Sequence, residues 1–369
     1  MNILVTGAAG FIGKNLCVFL QEAGFENVKK ITLDDSEDNI VEKVTSADFI
    51  YHLAGINRPK NDYEFKKGNT DLTQKIIDTL IESGRNTPIL LTSSIQAELD
   101  NPYGASKAGA EEVVAAYKKH TGAATHIYRL PNVFGKWCLP NYNSAVATFC
   151  YNTINDLPIT IHNPDAALNL VYIDDVCKSF VERLTSAPQS TDMYGIVEPI
   201  YETTVGEVVS LLTEFKNSRD SMISAKVGEG FVRALYSTYV SYLAPDQFAY
   251  SVTRHSDDRG TFVEMLKTKD SGQFSFFTAH PGITRGGHYH HTKTEKFLVI
   301  NGKALYKFRH IVTGETYELT VEGGESRIVE TAPGWTHDVT NIGNTEMVVM
   351  LWANEIFDRN APDTIANPL

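Results

Sequence analysis

The chain is poor in cysteine. Its four residues of this type, Cys17, Cys138, Cys150 and Cys177, show no C-x-x-C spacing among 369 positions. That excludes a disulfide framework and a zinc ribbon, and it suits reduced, mostly buried thiols in a cytoplasmic protein. Positive charge is also scarce. Lys and Arg number 33 against 45 Asp and Glu, giving a net charge of −12. A field of that sign disfavours nucleic acid and anionic membrane surfaces, so neither is expected as a partner. It also obliges any phosphorylated ligand to be met by local donors. No apolar run approaches the roughly 20 residues of a spanning helix. The chain enters a strand by Ile3 with no charged and apolar leader before it, so membrane insertion and export are not expected.

What is present divides in two. A length of 369 residues exceeds what one hydrophobic core usually organises. In the first part, short and partly β-branched apolar runs (residues 1–6, 30–33, 49–53, 88–92 and 125–130) alternate with helical patterns (13–23, 69–83 and 106–120). That rhythm predicts an α/β domain of Rossmann type, a doubly wound parallel sheet with helices on both faces. From about Asp246 the pattern changes to short alternating segments (261–267, 273–278, 296–300, 303–309, 315–321, 325–329 and 347–353) separated by Gly, Asn and Pro. These predict an all-β double-sheet barrel. The expected domains are residues 1–243 and 246–369, with the boundary around Pro245.

Each part carries a chemical motif. Gly7, Gly10 and Gly13, with Phe11 and Ile12 between them, follow a strand and open a helix. There the glycines permit a tight turn and close approach to a pyrophosphate, and the helix N-terminus offers free N–H groups to it. Asp34, at the end of the second strand, stands where a carboxylate grips the adenosine ribose, or else is one acid of a turn running to Asp38. Further on, Tyr103 and Lys107 are i and i+4 on a helix and share one face. An ammonium beside a phenol, together with the positive ring of a bound nicotinamide, favours phenolate, the arrangement for exchanging a proton with a substrate oxygen. Ser94 is expected to hydrogen-bond that oxygen, with Ser93 as the alternative.

In the second part, His288, His290 and Glu295 lie between Gly282 and Gly302, and His337 follows Gly334. Two histidines two apart on a strand face one side and reach one ion. Glu295 is expected to begin the paired strand. Three imidazoles and a carboxylate suit Zn²⁺, Fe²⁺, Mn²⁺ or Ni²⁺, and ligand type does not choose among them. Zinc is adopted here. Pro333 adjoins Gly334, a departure from the usual second motif that bears on the loop. The acid and base at this centre stay open among Tyr289, His291, Lys293, Lys296 and Asp338.

These motifs resemble known families. The Gly-x-x-Gly-x-x-Gly spacing, the His52-Leu53-Ala54-Gly55 segment, Asn69, Ser93-Ser94, the Tyr103/Lys107 pair, Arg129 to Gly135 and Val171 to Val176 resemble, in order, the extended short-chain dehydrogenase/reductases. The second part matches the first cupin motif in spacing. The combination resembles two-domain capsular polysaccharide reductases. The resemblance implies a nicotinamide held by Gly7, Gly10, Phe11, Ile12, Gly13, Asp34, Leu53, Ala54, Gly55, Tyr103 and Lys107. It also implies a UDP-linked 4-keto-6-deoxy amino sugar as substrate, metal-assisted epimerisation at C3 in the cupin, and reduction at C4 in the first domain. A homodimer is expected for both folds. On cofactor choice, residues and resemblance disagree. Acids from Asp34 onward, with no arginine between Ile31 and Asn39, favour NADH; the resemblance implies NADPH, with Lys14, Arg58 or Lys60 reaching the 2′-phosphate. NADPH is the expectation adopted. Two alternatives remain: a non-catalytic, metal-stiffened cupin serving dimerisation, and an iron oxygenase, against which four protein ligands leave few open positions.

Overall fold

A computed structural model describes residues 1–32, 34–185 and 193–369; Leu33, the last residue of the expected strand 30–33, lies outside the described residues. The elements run β1 (Ile3–Thr6), α1 (Phe11–Glu22), β2 (Val28–Ile31), α2 (Glu37–Ser46), β3 (Phe49–His52), α3 (Tyr63–Lys66), α4 (Leu72–Glu82), β4 (Ile89–Ser94), α5 (Pro102–Thr121) and β5 (Thr125–Leu130). There follow β6 (Asn132–Phe134), α6 (Ala145–Ile154), β7 (Ala167–Tyr172), α7 (Ile173–Thr185), β8 (Tyr194–Gly195), β9 (Ile200–Thr204), α8 (Val205–Ser221), β10 (Ile223–Ser224) and α9 (Gly230–Val240). The remainder is β: β11 (Arg254–Asp257), β12 (Gly260–Thr268), β13 (Gly272–Ala279), β14 (Thr284–Tyr289), β15 (Glu295–Asn301), β16 (Lys303–His310), β17 (Thr316–Glu322), β18 (Ile328–Glu330), β19 (Trp335–Asn341), β20 (Met347–Ala353) and β21 (Ile365–Ala366). Among the described residues, no helix is long and apolar enough to cross a membrane.

Two compact units result: Met1–Leu212 with Arg233–Leu243, and Thr213–Val232 with Ala244–Leu369. The segment Thr213–Val232, assigned to the first domain by sequence, groups with the second unit for visible reasons. Ile223 and Ser224 pair in parallel with Lys267 and Thr268 of β12, and the ion pairs Lys226–Asp270 and Lys269–Glu214 fasten both sides of that pairing.

The first unit is the expected Rossmann-type sheet, in the order β2-β1-β3-β4-β5-β8 with every pairing parallel. Its central strands β1, β3 and β4 are buried on both faces, which is why they read as largely apolar runs. Leu4, Ile50, Leu91 and Ile127 pack against Val44 of α2, Ile76 and Leu80 of α4, and Val114 and Tyr117 of α5. On the opposite face Tyr51 and Tyr128 meet Phe180 of α7. Among the described residues α2 alone separates β2 from β3, and the His52 motif closes the third strand. The short stretch between Ile31 and Phe49 has room for one helix, and its acids start it: Ser36 caps α2, accepting from Asn39 N. The strand order reverses at β1, the place where open α/β sheets bind ligands.

The second unit has the expected all-β architecture. One sheet runs β10-β12-β13-β20-β15-β18, with β11 beside β12, and the other runs β17-β16-β19-β14-β21. Their inner faces share a core of Phe277, Phe297, Val299, Tyr306, Phe308, Val339 and Val349. Every strand named from sequence is present. The alternating apolar pattern did not reveal β14, whose residues include Gly286, Gly287 and His288, or β19, where the buried Val339 stands among the polar Thr336, His337, Asp338 and Asn341.

Candidate active site and metal centre

The turn after β1 is set by backbone sterics. Gly7 has φ +66°, and a Cβ there would lie 2.8 Å from Ala54 N and Cα, so only glycine allows this approach. A Cβ on Gly13 would meet Ala8 Cα at 2.7 Å, which explains how closely α1 enters the turn. Gly10 is the N-cap of α1 and no side chain caps the helix there. The first-turn N–H groups of Phe11, Ile12 and Gly13 are thus available to an anion. Across the switch point, Thr6 Oγ1 accepts from Ala54 N at 3.1 Å and bonds His52 Nδ1 at 2.8 Å, while His52 Nε2 meets Thr73 Oγ1 at 2.9 Å. Burial, with the Lys107 charge added, presses His52 down to about 3, so it stays neutral. Asn69 then fixes the Leu53-Ala54-Gly55 loop: it accepts from Ile56 N at 2.8 Å and donates to Ile56 O at 3.0 Å and Ser106 Oγ at 2.8 Å. This bare helix end facing an immobilised loop fits a dinucleotide. Asp34 is exposed in the turn after β2; its neighbour Asp35 is the acid engaged with the backbone, accepting from Thr32 N at 2.9 Å and pairing with Lys43.

At the C-terminal edge of the same sheet, Ser94, Tyr103 and Lys107 come together. Asn101 caps α5, accepting from Gly104 N at 2.8 Å, with Pro102 following. This start places Tyr103 in the first turn, with its phenol facing the Ser94 hydroxyl. Lys107 is buried and donates to Thr92 O at 3.1 Å. Burial lowers its ammonium to about 8, opposed by the Glu111 charge. Burial raises the Tyr103 phenol, and the opposing pull comes from Ser94. Lys107 Nζ stands 6.0 Å from the tyrosine ring centroid.

The two serines are separated by the pleat. Ser93 turns away and donates to Glu111 Oε1. Glu111 is buried and held by Arg129, with Nε 2.9 Å from Oε1 and Nη2 2.6 Å from Oε2, and it accepts from Tyr194 at 3.2 Å. Sequence reading passed over Glu111, although its spacing gave the signal: Tyr103, Lys107 and Glu111 are i, i+4 and i+8 on one helix face.

In the second unit His288, His290, Glu295 and His337 present ligand atoms all within 4.8 Å of one another. His288 lies on β14 directly across from His337 on β19; His290 sits just beyond the end of β14. Glu295 opens β15, which is not the partner of β14 but belongs to the other sheet, where it pairs with β20 and β18. The site therefore bridges the two sheets, and the hairpin expected from the spacing is replaced by a crossing between them. Glu295 Oε2 lies 3.3 Å from His290 Nε2 and 3.2 Å from His337 Nε2. Ligands of a tetrahedral ion at about 2.0–2.1 Å stand about 3.3 Å apart, and His337 Nε2 is buried without a hydrogen bond. This set fits a divalent metal. Burial works to raise Glu295, but the imidazoles of His290 and His337 close beside it and the Lys293 charge hold it far below the usual carboxylate range. The departure at Pro333 leaves the loop intact: Gly334 adopts φ +76° and donates to His290 O at 2.9 Å.

Of the five acid–base candidates, Lys293 alone is paired with a ligand, its Nζ 3.0 Å from Glu295 Oε1. Lys296 pairs with Glu330 at 2.7 Å, Tyr289 meets the exposed His291 edge-on, and Asp338 points away from His337 toward Lys307, its cross-strand neighbour. Sequence reading also missed Asp363, which accepts from the backbone of the loop between His290 and Glu295. No local spacing announces a partner so far along the chain.

Against known proteins, residues 3–196 match the NAD dependent epimerase/dehydratase family. The chain belongs to that family. A further stretch of this epimerase/dehydratase family member, residues 255–365, matches the polysaccharide biosynthesis C-terminal domain. A UDP-2-acetamido-2,6-beta-L-arabino-hexul-4-ose reductase of Pseudomonas aeruginosa is 57% identical over 366 residues, covering 99% of this chain and 98% of its own. The capsular polysaccharide assembling protein CapF of Staphylococcus aureus superposes with a TM-score of 0.93 at 42% identity, with 100% of each chain covered. UDP-glucose 4-epimerase of Thermus thermophilus, solved with NAD, gives 0.54 at 19% identity over 66% of this chain and 99% of that one, a likeness of fold alone.

Proposed function

We propose that this protein reduces the C4 ketone of a UDP-linked 2-acetamido-2,6-dideoxy-4-hexulose with NADPH, and that its second unit epimerises C3 with the help of a divalent metal, zinc by preference. The product is then UDP-2-acetamido-2,6-dideoxy-L-talose, an intermediate for capsular polysaccharide. The observation that carries the reading is the placement of Ser94, Tyr103 and Lys107 around one edge of the sheet, in a chain alike from end to end to a hexulose reductase.

The bound nicotinamide supplies a hydride to the carbonyl carbon. Tyr103 donates the proton that the developing alkoxide takes up, Ser94 hydrogen-bonds the same oxygen and fixes its position, and Lys107 supplies positive charge from beneath. The dinucleotide is held by the first turn of α1, the Leu53-Ala54-Gly55 loop, Tyr103 and Lys107, with Asp34 or the basic residues Lys14, Arg58 and Lys60 deciding between ribose hydroxyl and phosphate.

The metal, held by His288, His290, Glu295 and His337, supplies Lewis acidity to the substrate carbonyl. Bound there, it would acidify the neighbouring C3 proton, which epimerisation removes from one face and replaces on the other. Lys293, paired with the ligand Glu295, is assigned to take this proton on one face, and a solvent proton is returned on the opposite face. A homodimer is the working assembly.

Incubating the whole protein with the keto sugar in D₂O, without reduced nicotinamide, tests the second half. Deuterium at C3 that disappears in His290→Ala supports epimerisation. No exchange with intact NADPH oxidation reduces the protein to a ketoreductase with a structural metal unit, and oxygen consumption would point to an oxygenase.

A further inference from the structure

The segment 363–368 touches the metal-ligand framework at every level. The Asp363 carboxylate accepts from His291 N at 2.9 Å, Thr292 N at 2.7 Å, Thr292 Oγ1 at 3.1 Å and Lys293 N at 2.8 Å. Its main-chain oxygen lies 2.5 Å from His290 Nδ1. Two residues on, Ile365 and Ala366 pair with Tyr289 and His288, and Asn367 N donates to Gly287 O at 2.8 Å. Arg309 anchors the far end, with Nη2 2.5 Å from Asn367 Oδ1 and 2.7 Å from Pro368 O.

Each contact constrains a ligand. A carbonyl at Nδ1 fixes the His290 tautomer so that Nε2 presents its lone pair toward Glu295. Three amides converging on one carboxylate set the path of the turn between His290 and Glu295. The added strand sets the twist of β14 where His288 leaves it. None of these groups is itself a ligand.

We propose that Asp363 is a positioning residue for the metal centre and that segment 363–368 is thermodynamically linked to metal binding: the docked strap orients His290 and the loop to Glu295, and the bound ion in turn holds the strap down. The proposal rests on the four-ligand reading above. Linkage requires the effect to run both ways. Loss of an outer partner of a ligating histidine typically costs about 10–100-fold in metal affinity.

The test uses the full chain stripped by chelation, with zinc titrated in competition with a chromophoric chelator and hydrogen exchange followed at the strap amides. D363N, which keeps the side-chain shape, is expected to weaken zinc about 10–100-fold. Zinc should slow exchange across 363–368 in the wild type and slow it less in D363N. Because Asp363 also supports its loop, R309M serves as a second variant. It releases the strap at its other end without touching residues 290–293, and it should lower zinc affinity by a smaller factor. Wild-type zinc affinity in both variants, or strap exchange indifferent to zinc, overturns the proposal. A wild type that binds no zinc at all overturns the ligand set first and the proposal with it.

Discussion

Ser93 and Ser94 are neighbours on β4, yet the pleat sends them to different work, and this difference can be measured. Ser94→Ala is expected to cut kcat for ketone reduction sharply. Ser93→Ala should leave kcat near wild type and lower the melting temperature, since its hydroxyl serves the buried Glu111. Tyr103→Phe removes the proton donor and should cost about 10²–10⁴-fold in kcat, with NADPH affinity by fluorescence titration nearly unchanged. Substantial turnover in that variant would sink the assignment of Tyr103. The residue types were legible in the sequence because each motif is local: glycines in a turn, a tyrosine and lysine one helical turn apart, histidines bracketing one position. Which serine faces the tyrosine was not, since a one-residue error in strand register reverses the answer.

On α5, one face carries Tyr103, Lys107 and Glu111 in succession, and the charge state of the middle residue depends on the last. Burial lowers Lys107 to about 8, whereas Glu111 raises it. The folded protein therefore gives up this proton near pH 8, and kcat/KM is expected to fall above it. In Glu111→Gln the supporting charge is gone, so the alkaline limb should move to lower pH. An unmoved limb would mean that Glu111 acts only through packing. Stability runs the other way. A lysine lowered in the folded state penalises folding fully below that value, and the penalty is relieved as pH rises toward its ordinary 10.5. Lys107→Met should accordingly raise the melting temperature at pH 7 while abolishing reduction, a trade of stability for function. Most strands were readable as elements, because apolar runs and hairpin glycines are printed in short stretches. The strand carrying His337 was not, nor was the end of the His288 strand before His290, nor the crossing of Glu295 from the opposite sheet, because ligand spacing along the chain says nothing about which sheet a strand joins.

For the whole molecule, the two chemistries should be separable by treatment even though they share a chain. Removing the metal with a chelator is expected to lower the melting transition of the second unit and leave NADPH affinity in the first unchanged, because metal binding contributes folding free energy only where its ligands lie. Calorimetry with and without zinc checks this; a uniform shift of all transitions would show that the ligand set does not belong to one unit. Comparing kcat/KM for NADPH and NADH decides the role of Asp34. A clear preference for NADH would assign it to the ribose hydroxyls, and a preference for NADPH would turn attention to Lys14, Arg58 and Lys60. The two-part plan was legible from length and the change of pattern along the chain, whereas the membership of Thr213–Val232 was not, since its bond to β12 spans residues far apart in sequence.

That short loan of Thr213–Val232 has a practical consequence. The backbone passes from one unit to the other at 212/213, at 232/233 and again at 243/244, so no single cut yields two intact halves. A fragment beginning at residue 246 leaves β10 behind and bares the hydrogen-bonding edge of β12 at Lys267 and Thr268, the kind of edge that recruits a neighbouring chain. Anyone dissecting the enzyme into modules would be pulling a stitch, not opening a seam, and a clumped C-terminal fragment would report the misplaced scissors before it reported anything about catalysis.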